Sequence, residues 1–145
     1  MDDQAKLQNS YQTFSYKCPT ELRRGKGIVE LAKTPMLRGR VQIVKEGGEN
    51  NLHFHRGMDG FWMVLEGRVK FYGPGDVLIG EFGQHEGILI PAGVEYWFES
   101  SGEVPLQILQ MAAFDPNVKT ARVDAAPQKF AVGEVPVDVI TKNAN

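Results

Sequence analysis

From Thr13 to about residue 112 the chain is a succession of short apolar runs, several alternating with polar residues and each cut off by glycine, proline or a charged turn. Segments near 26–32, 36–45, 51–56, 60–66, 68–73, 77–82, 87–91, 95–99 and 105–112 are rich in Val, Ile, Leu, Phe, Tyr and Trp. Branched and aromatic side chains suit a pleated, half-buried surface, and a period of two sends alternate residues to opposite faces. The pattern predicts an all-β fold, sandwich or barrel. No stretch carries a 3.6-residue period, although 19–24 has room for one helical turn.

The breaks between runs have their own chemistry. In Tyr72-Gly73-Pro74-Gly75-Asp76 the proline fixes one φ and the glycines are free to take positive φ, which predicts a turn between strands. Glu46-Gly47-Gly48-Glu49-Asn50 reads as a flexible approach to the next strand, and Glu66-Gly67-Arg68 as a tight reversal. Residues 1–11 are polar and aperiodic, a loose arm suited to ordering against a second subunit. After Phe114-Asp115-Pro116 the apolar content thins, so 113–145 is expected to wrap the body as a tail with one strand near 137–141. One domain over 1–145, with its core in 36–112, is the expected organisation.

Bulk properties narrow the function classes. With 145 residues, 42% hydrophobic and 23% charged, the chain has ordinary globular usage. A formal charge of -2 gives no general attraction to nucleic acid or anionic lipid, and no apolar run is long enough to span a membrane. Cys18 is the only cysteine, so no internal disulfide forms. The polar, acidic start Met1-Asp2-Asp3-Gln4 lacks the order of a signal peptide, and a cytoplasmic protein is expected. No Gly-x-Ser-x-Gly elbow occurs, and Gly73-Pro74-Gly75 lacks the strand and helix of a dinucleotide fingerprint.

Two of the three histidines, His53 and His55, stand two apart in Asn51-Leu52-His53-Phe54-His55. In a strand both imidazoles share a face and converge, which suits a metal ion or a paired proton donor and acceptor. The third, His85, sits in the polar loop Phe82-Gly83-Gln84-His85-Glu86 and is expected to be solvated.

The spacing around that pair resembles the cupin superfamily. Its first motif runs Gly, five residues, His-x-His, three or four residues, Glu, six residues, Gly; here Gly47, His53, His55 and Gly67 fit, while Gly60 stands where Glu is expected. The second motif, Pro-x-Gly, two residues, His, appears as Pro91-Ala92-Gly93-Val94-Glu95-Tyr96, with Tyr96 in place of the last histidine. The resemblance spans roughly residues 36 to 112. It implies a double-stranded β-helix, the jelly-roll cupin barrel, with a divalent transition metal (Fe, Mn, Ni or Zn) held by His53 and His55 and with Tyr96 as a substitute oxygen ligand.

If residue 60 faces inward, Trp62 and Val64 share its face, Phe61, Met63 and Leu65 point out, and Tyr96 and Phe98 point in. Trp62 and Phe98 are then expected to form an aromatic wall that helps bind the ligand. A bulge would be needed to bring Asp59 into the place left by Gly60. Arg38, Arg40 and Arg56 are candidates for pairing with an anionic substrate at the barrel mouth.

Three functions follow. The first is a metal-binding cupin acting on a small oxygenated metabolite. The second is a metal-free cupin similar to sugar epimerases and ketoisomerases, in which His53, His55 and Tyr96 move protons. The third is a module that binds a small molecule without chemistry. A homodimer is expected, built on outward Phe61, Met63 and Leu65 and on the arm.

Overall fold

The computed structural model describes residues 3, 10–20, 25–127 and 138–140. Among them are eleven strands: β1 (Lys26–Lys33), β2 (Leu37–Val44), β3 (Gly48–Arg56), β4 (Met58–Glu66), β5 (Val69–Tyr72), β6 (Leu78–Phe82), β7 (Gly87–Ile90), β8 (Tyr96–Ser100), β9 (Leu106–Phe114), β10 (Ala121–Asp124) and β11 (Asp138–Ile140). Each expected segment is a strand. Two differences stand out: β3 begins at Gly48, inside the expected flexible approach, and β10 was not anticipated. The short turn foreseen over 19–24 lies partly outside the described residues, as does most of the arm. No helix among the described residues is long and apolar enough to cross a membrane.

The strands form two sheets, a six-stranded one in the order β11-β1-β2-β9-β4-β7 and a five-stranded one in the order β10-β3-β8-β5-β6. All the pairings are antiparallel except β1 with β11. Alternation sets the layers. Along β4 Met58, Gly60, Trp62 and Val64 are buried, whereas Asp59 and Phe61 are exposed. Along β9 Leu106, Ile108, Gln110 and Ala112 are buried in the same rhythm.

One apolar cluster fills the space between the sheets, with Val44, Val64, Val69, Phe71, Phe98, Leu106 and Ile108 around Trp62 and Tyr96. A second lies on the outer face of the six-stranded sheet, where Val29, Val41 and Ile43 meet Tyr16, Leu31, Leu65 and Leu109. The inner cluster occupies only one end of the interior. At the other end the inward positions are polar: Gln42 and Arg40 on β2, Gln110 on β9, Asn51, His53 and His55 on β3. Apolar packing closes the barrel floor, and the chemistry-bearing side chains sit nearer the mouth.

Candidate functional site

β3 carries His53 and His55 on one face, as their spacing requires, and the two rings meet edge to face with centroids 5.2 Å apart. Tyr96, the first residue of β8, pairs in register with His53, and its ring centroid lies 4.5 Å from that of His53 and 6.2 Å from that of His55. The loop before β8 is fixed to the same strand, because Gly93 at φ +83 donates its N–H to the His55 carbonyl over 2.8 Å. The structure therefore brings together the histidine pair and the phenol from two neighbouring strands.

His53 is fully buried. Its Nδ1 lies 2.8 Å from the Asn51 carbonyl oxygen, and a carbonyl can only accept, so Nδ1 carries a proton and the ring acts through Nε2. His55 is half-buried and lines a cavity of about 10 Å³ together with Met58, Gly60, Trp62, Ile90, Val94 and Tyr96. That is room for one water molecule.

Trp62 explains why residue 60 is glycine. A Cβ at position 60 would stand 3.2 Å from Trp62 Nε1, so the indole edge crowds the space a side chain there would need. The indole is held from behind by Phe98 at 5.3 Å and Phe71 at 5.9 Å between centroids. Trp62 thus belongs to the cavity wall, whereas Phe98, fully buried in the floor cluster, supports it from behind and is not among the residues lining that cavity. Trp62 Nε1 is buried with no hydrogen-bond partner among the described residues. An orphaned donor of this kind costs about 1–3 kcal/mol unless a ligand or water answers it.

Asp59 does not enter the site. β4 runs past Gly60 without a bulge, so Asp59 faces outward and accepts the Ala92 N–H at 2.8 Å. His85 is exposed at a loop tip with φ +67. Arg56 is exposed and lies over Phe54, away from the interior, while Arg38 and Arg40 are on the inner face.

A polar network missing from the sequence reading completes this end. β10 pairs with β3 so that Arg122 faces His55 and Asp124 faces His53. Asn51 donates to Asp124 Oδ1 (2.9 Å) and to the Ala126 carbonyl (3.0 Å), and accepts from Arg122 Nη2 (2.7 Å). Arg122 Nε also donates to Asp124 at 3.1 Å. The hydrogen bonds from Asn51 and Arg122, with a smaller pull from the charges of Arg122 and His53, hold the Asp124 carboxyl below its usual range. On the opposite sheet Gln110 Oε1 accepts from Arg40 Nε (2.8 Å) and Gln42 Nε2 (3.3 Å).

A divalent transition metal fits these residues poorly. Stable sites use three or four protein donors, and no three His, Cys, Asp or Glu among the described residues are grouped to hold an ion. At the place where the resemblance puts a carboxylate the chain has Gly60, and even a Cβ there would crowd the Trp62 indole at 3.2 Å.

No family model matches the sequence, and no curated protein matches it significantly. Solved structures do. The chain is similar to the cupin domain of Schizosaccharomyces pombe Cnp3, with a TM-score of 0.60 and 16% identity over 70% of this chain and 74% of that one. The fold is that of a cupin. Two further cupin-type neighbours have TM-scores of 0.59: a Klebsiella pneumoniae protein with a double-stranded β-helix domain (15% identity, 72% of this chain, 89% of that one) and the polyketide cyclase RemF of Streptomyces resistomycificus (21% identity, 72% and 73%). At such identities the cupin likeness fixes the architecture and leaves the chemistry to the residues.

Proposed function

We propose that this cupin barrel seats the carbonyl oxygen of a small compound in the one-water space beside His55, Tyr96 and Trp62, with the rest of the compound in the barrel mouth, and moves a proton on it. The observation that carries the reading is the buried Trp62 N–H, without a hydrogen-bond partner among the described residues, beside the closely packed rings of His53 and Tyr96. His55, which lines that space, takes a proton from the carbon next to the carbonyl, and the buried His53 packs against it from behind. The C–H electron pair becomes the C=C of an enolate, and its negative oxygen receives the Trp62 N–H and the Tyr96 O–H. After exchange with solvent His55 returns a proton to the same carbon; where that carbon carries a hydroxyl, the proton goes instead to the former carbonyl carbon while the hydroxyl proton passes to the enolate oxygen, and the carbonyl moves. Fixed donors in a water-poor wall stabilise that oxygen more than water would.

Solvent-deuterium exchange into a panel of keto-sugars and oxo acids tests this. Wild type should incorporate deuterium next to the carbonyl, with at least a hundredfold loss in His55→Gln and Tyr96→Phe. No exchange above the uncatalysed rate with any compound overturns the reading.

A second reading, a divalent metal held by His53 and His55 with Tyr96, has one observation in its favour. The Nδ1–H to Asn51 carbonyl bond orients His53 as metal-ligating imidazoles are oriented. Metal analysis after metal-replete expression decides between the two readings. Stoichiometric metal in wild type, lost in His53→Ala, would favour the ion.

Assembly as a homodimer is part of the proposal. Phe61 and Leu89, cross-strand neighbours on the outer face of the six-stranded sheet, are 48% and 62% exposed, which a second copy would cover. Light scattering should give twice the chain mass; a monomer at working concentration removes this part.

A further inference from the structure

The polar end of the barrel interior holds more positive than negative charge. On β2 the residues that alternate with the arginines face outward: a Cβ at Gly39 would touch Met111 Sδ at 3.0 Å, and Val41 lies in the outer cluster. Arg38 and Arg40 therefore project inward, on cross-strand rows that run Arg38, Ala112, Gly60 and Arg40, Gln110, Trp62. With two strand spacings between them, the Arg38 and Gly60 backbones are roughly 10 Å apart. From the facing sheet, Arg122 stands opposite His55 in the register of β10 and β3.

Arg38 is incompletely answered. It is half-buried over the Phe114 ring at 5.4 Å, its Nε is buried without a hydrogen-bond partner among the described residues, and burial pulls its pKa down with only partial compensation from Glu30. A guanidinium stays charged at any working pH, so one taken out of water calls for an anion. Three arginines (38, 40 and 122) face two carboxylates here: Glu30, the cross-strand neighbour of Arg40, and Asp124. That leaves one positive charge among the described residues of this end. A single carboxylate balances it, whereas a phosphate dianion would leave an excess of negative charge beside Asp124 and Glu30.

We infer that the barrel mouth is a carboxylate site, in which Arg38 and Arg122 hold the acid end of an oxo acid whose carbonyl lies against Trp62 and Tyr96. The planar fork of a guanidinium matches two carboxylate oxygens at once, which fixes direction as well as charge. Placing the far end of the ligand rests on the proton-transfer reading; the anion site itself rests on the arginines.

Phenylpyruvate, its uncharged methyl ester and inorganic phosphate separate the two. Calorimetry on the full chain should give the acid at least a tenfold lower Kd than the ester, with phosphate weaker than the acid. Arg38→Met and Arg122→Gln should each remove most of that preference while leaving ester affinity near wild type, titrated at a temperature where circular dichroism shows each variant fully folded. Equal binding of acid and ester, a preference that survives in the double variant, tighter binding of phosphate, or no binding of acid or ester overturns the carboxylate site. Deuterium exchange into the ester is read in the same samples: exchange that persists while the acid preference is absent leaves the proton-transfer reading standing and removes this one alone.

Discussion

Gly60 and Trp62 are close neighbours: a methyl group at position 60 would come to 3.2 Å from Trp62 Nε1, so the indole, packed against Phe71 and Phe98, would have to shift by a few tenths of an ångström. Gly60→Ala should destabilise by about 1–3 kcal/mol through overpacking, measured by urea unfolding. Gly60→Glu by itself should create no metal site, because the new side chain would crowd the indole. A Gly60→Glu protein that keeps its wild-type midpoint and takes up stoichiometric metal would contradict this relationship.

Gly87 on β7 is a tighter case. A Cβ there would overlap the Trp62 carbonyl oxygen on β4, which is backbone and cannot rotate aside. Gly87→Ala should push β7 off β4, and with it Ile90, Pro91 and Val94, three residues of the cavity beside His55. The expected outcome is a loss of more than about 3 kcal/mol, in the range of the larger backbone and core defects, or failure to fold. Hydrogen exchange localised to β7 and Trp62 is the check in any soluble fraction; uniform protection across β4 and β7 would show that the strand tolerates a side chain.

The barrel and its histidine pair were legible because they rest on local rules. Period-two alternation gives the strands, glycine and proline give the turns, and a two-residue spacing puts His53 and His55 on one face. The inward set Gly60, Trp62 and Val64 followed from the same alternation. What was hidden depends on tertiary pairing. β10 is four residues long, reads Ala-Arg-Val-Asp, and becomes a strand because β3 offers it an edge. Asn51 carried a signal that was within reach, since it precedes His53 by the spacing that separates His53 from His55. Nothing local says that Trp62 crowds the place of a missing glutamate; that requires knowing what lies behind the indole.

Asn51 ties β10 to the histidine strand through Asp124, Ala126 and Arg122. Asn51→Ala removes all three side-chain links and leaves partly buried groups unanswered, at a cost of about 1–3 kcal/mol. The damage should be regional, with faster amide exchange over Ala121–Asp124 and little change in β4 or β9. Arg122 would lose one of its two named tethers, so the preference for acid over ester should weaken as well. Unchanged exchange in β10 would show that backbone pairing alone holds that strand.

Asp124 links the same network to pH. Hydrogen bonds from Asn51 and Arg122 keep its folded-state pKa below the unfolded value. The associated stabilisation is therefore complete above the ordinary carboxylate range, about pH 4, and is lost as pH falls through the lower folded value. The carboxylate is largely exposed, at 66% for its side chain, so the effect is that of a screened surface pair, less than about 1 kcal/mol. Urea midpoints of wild type and Asp124→Asn, followed from neutral pH into acid, should stay separated by a constant amount until about pH 4 and then converge. A separation that instead grows on acidification would require Asp124 to be harder to ionise in the folded state than in the unfolded one, the reverse of what its hydrogen bonds dictate.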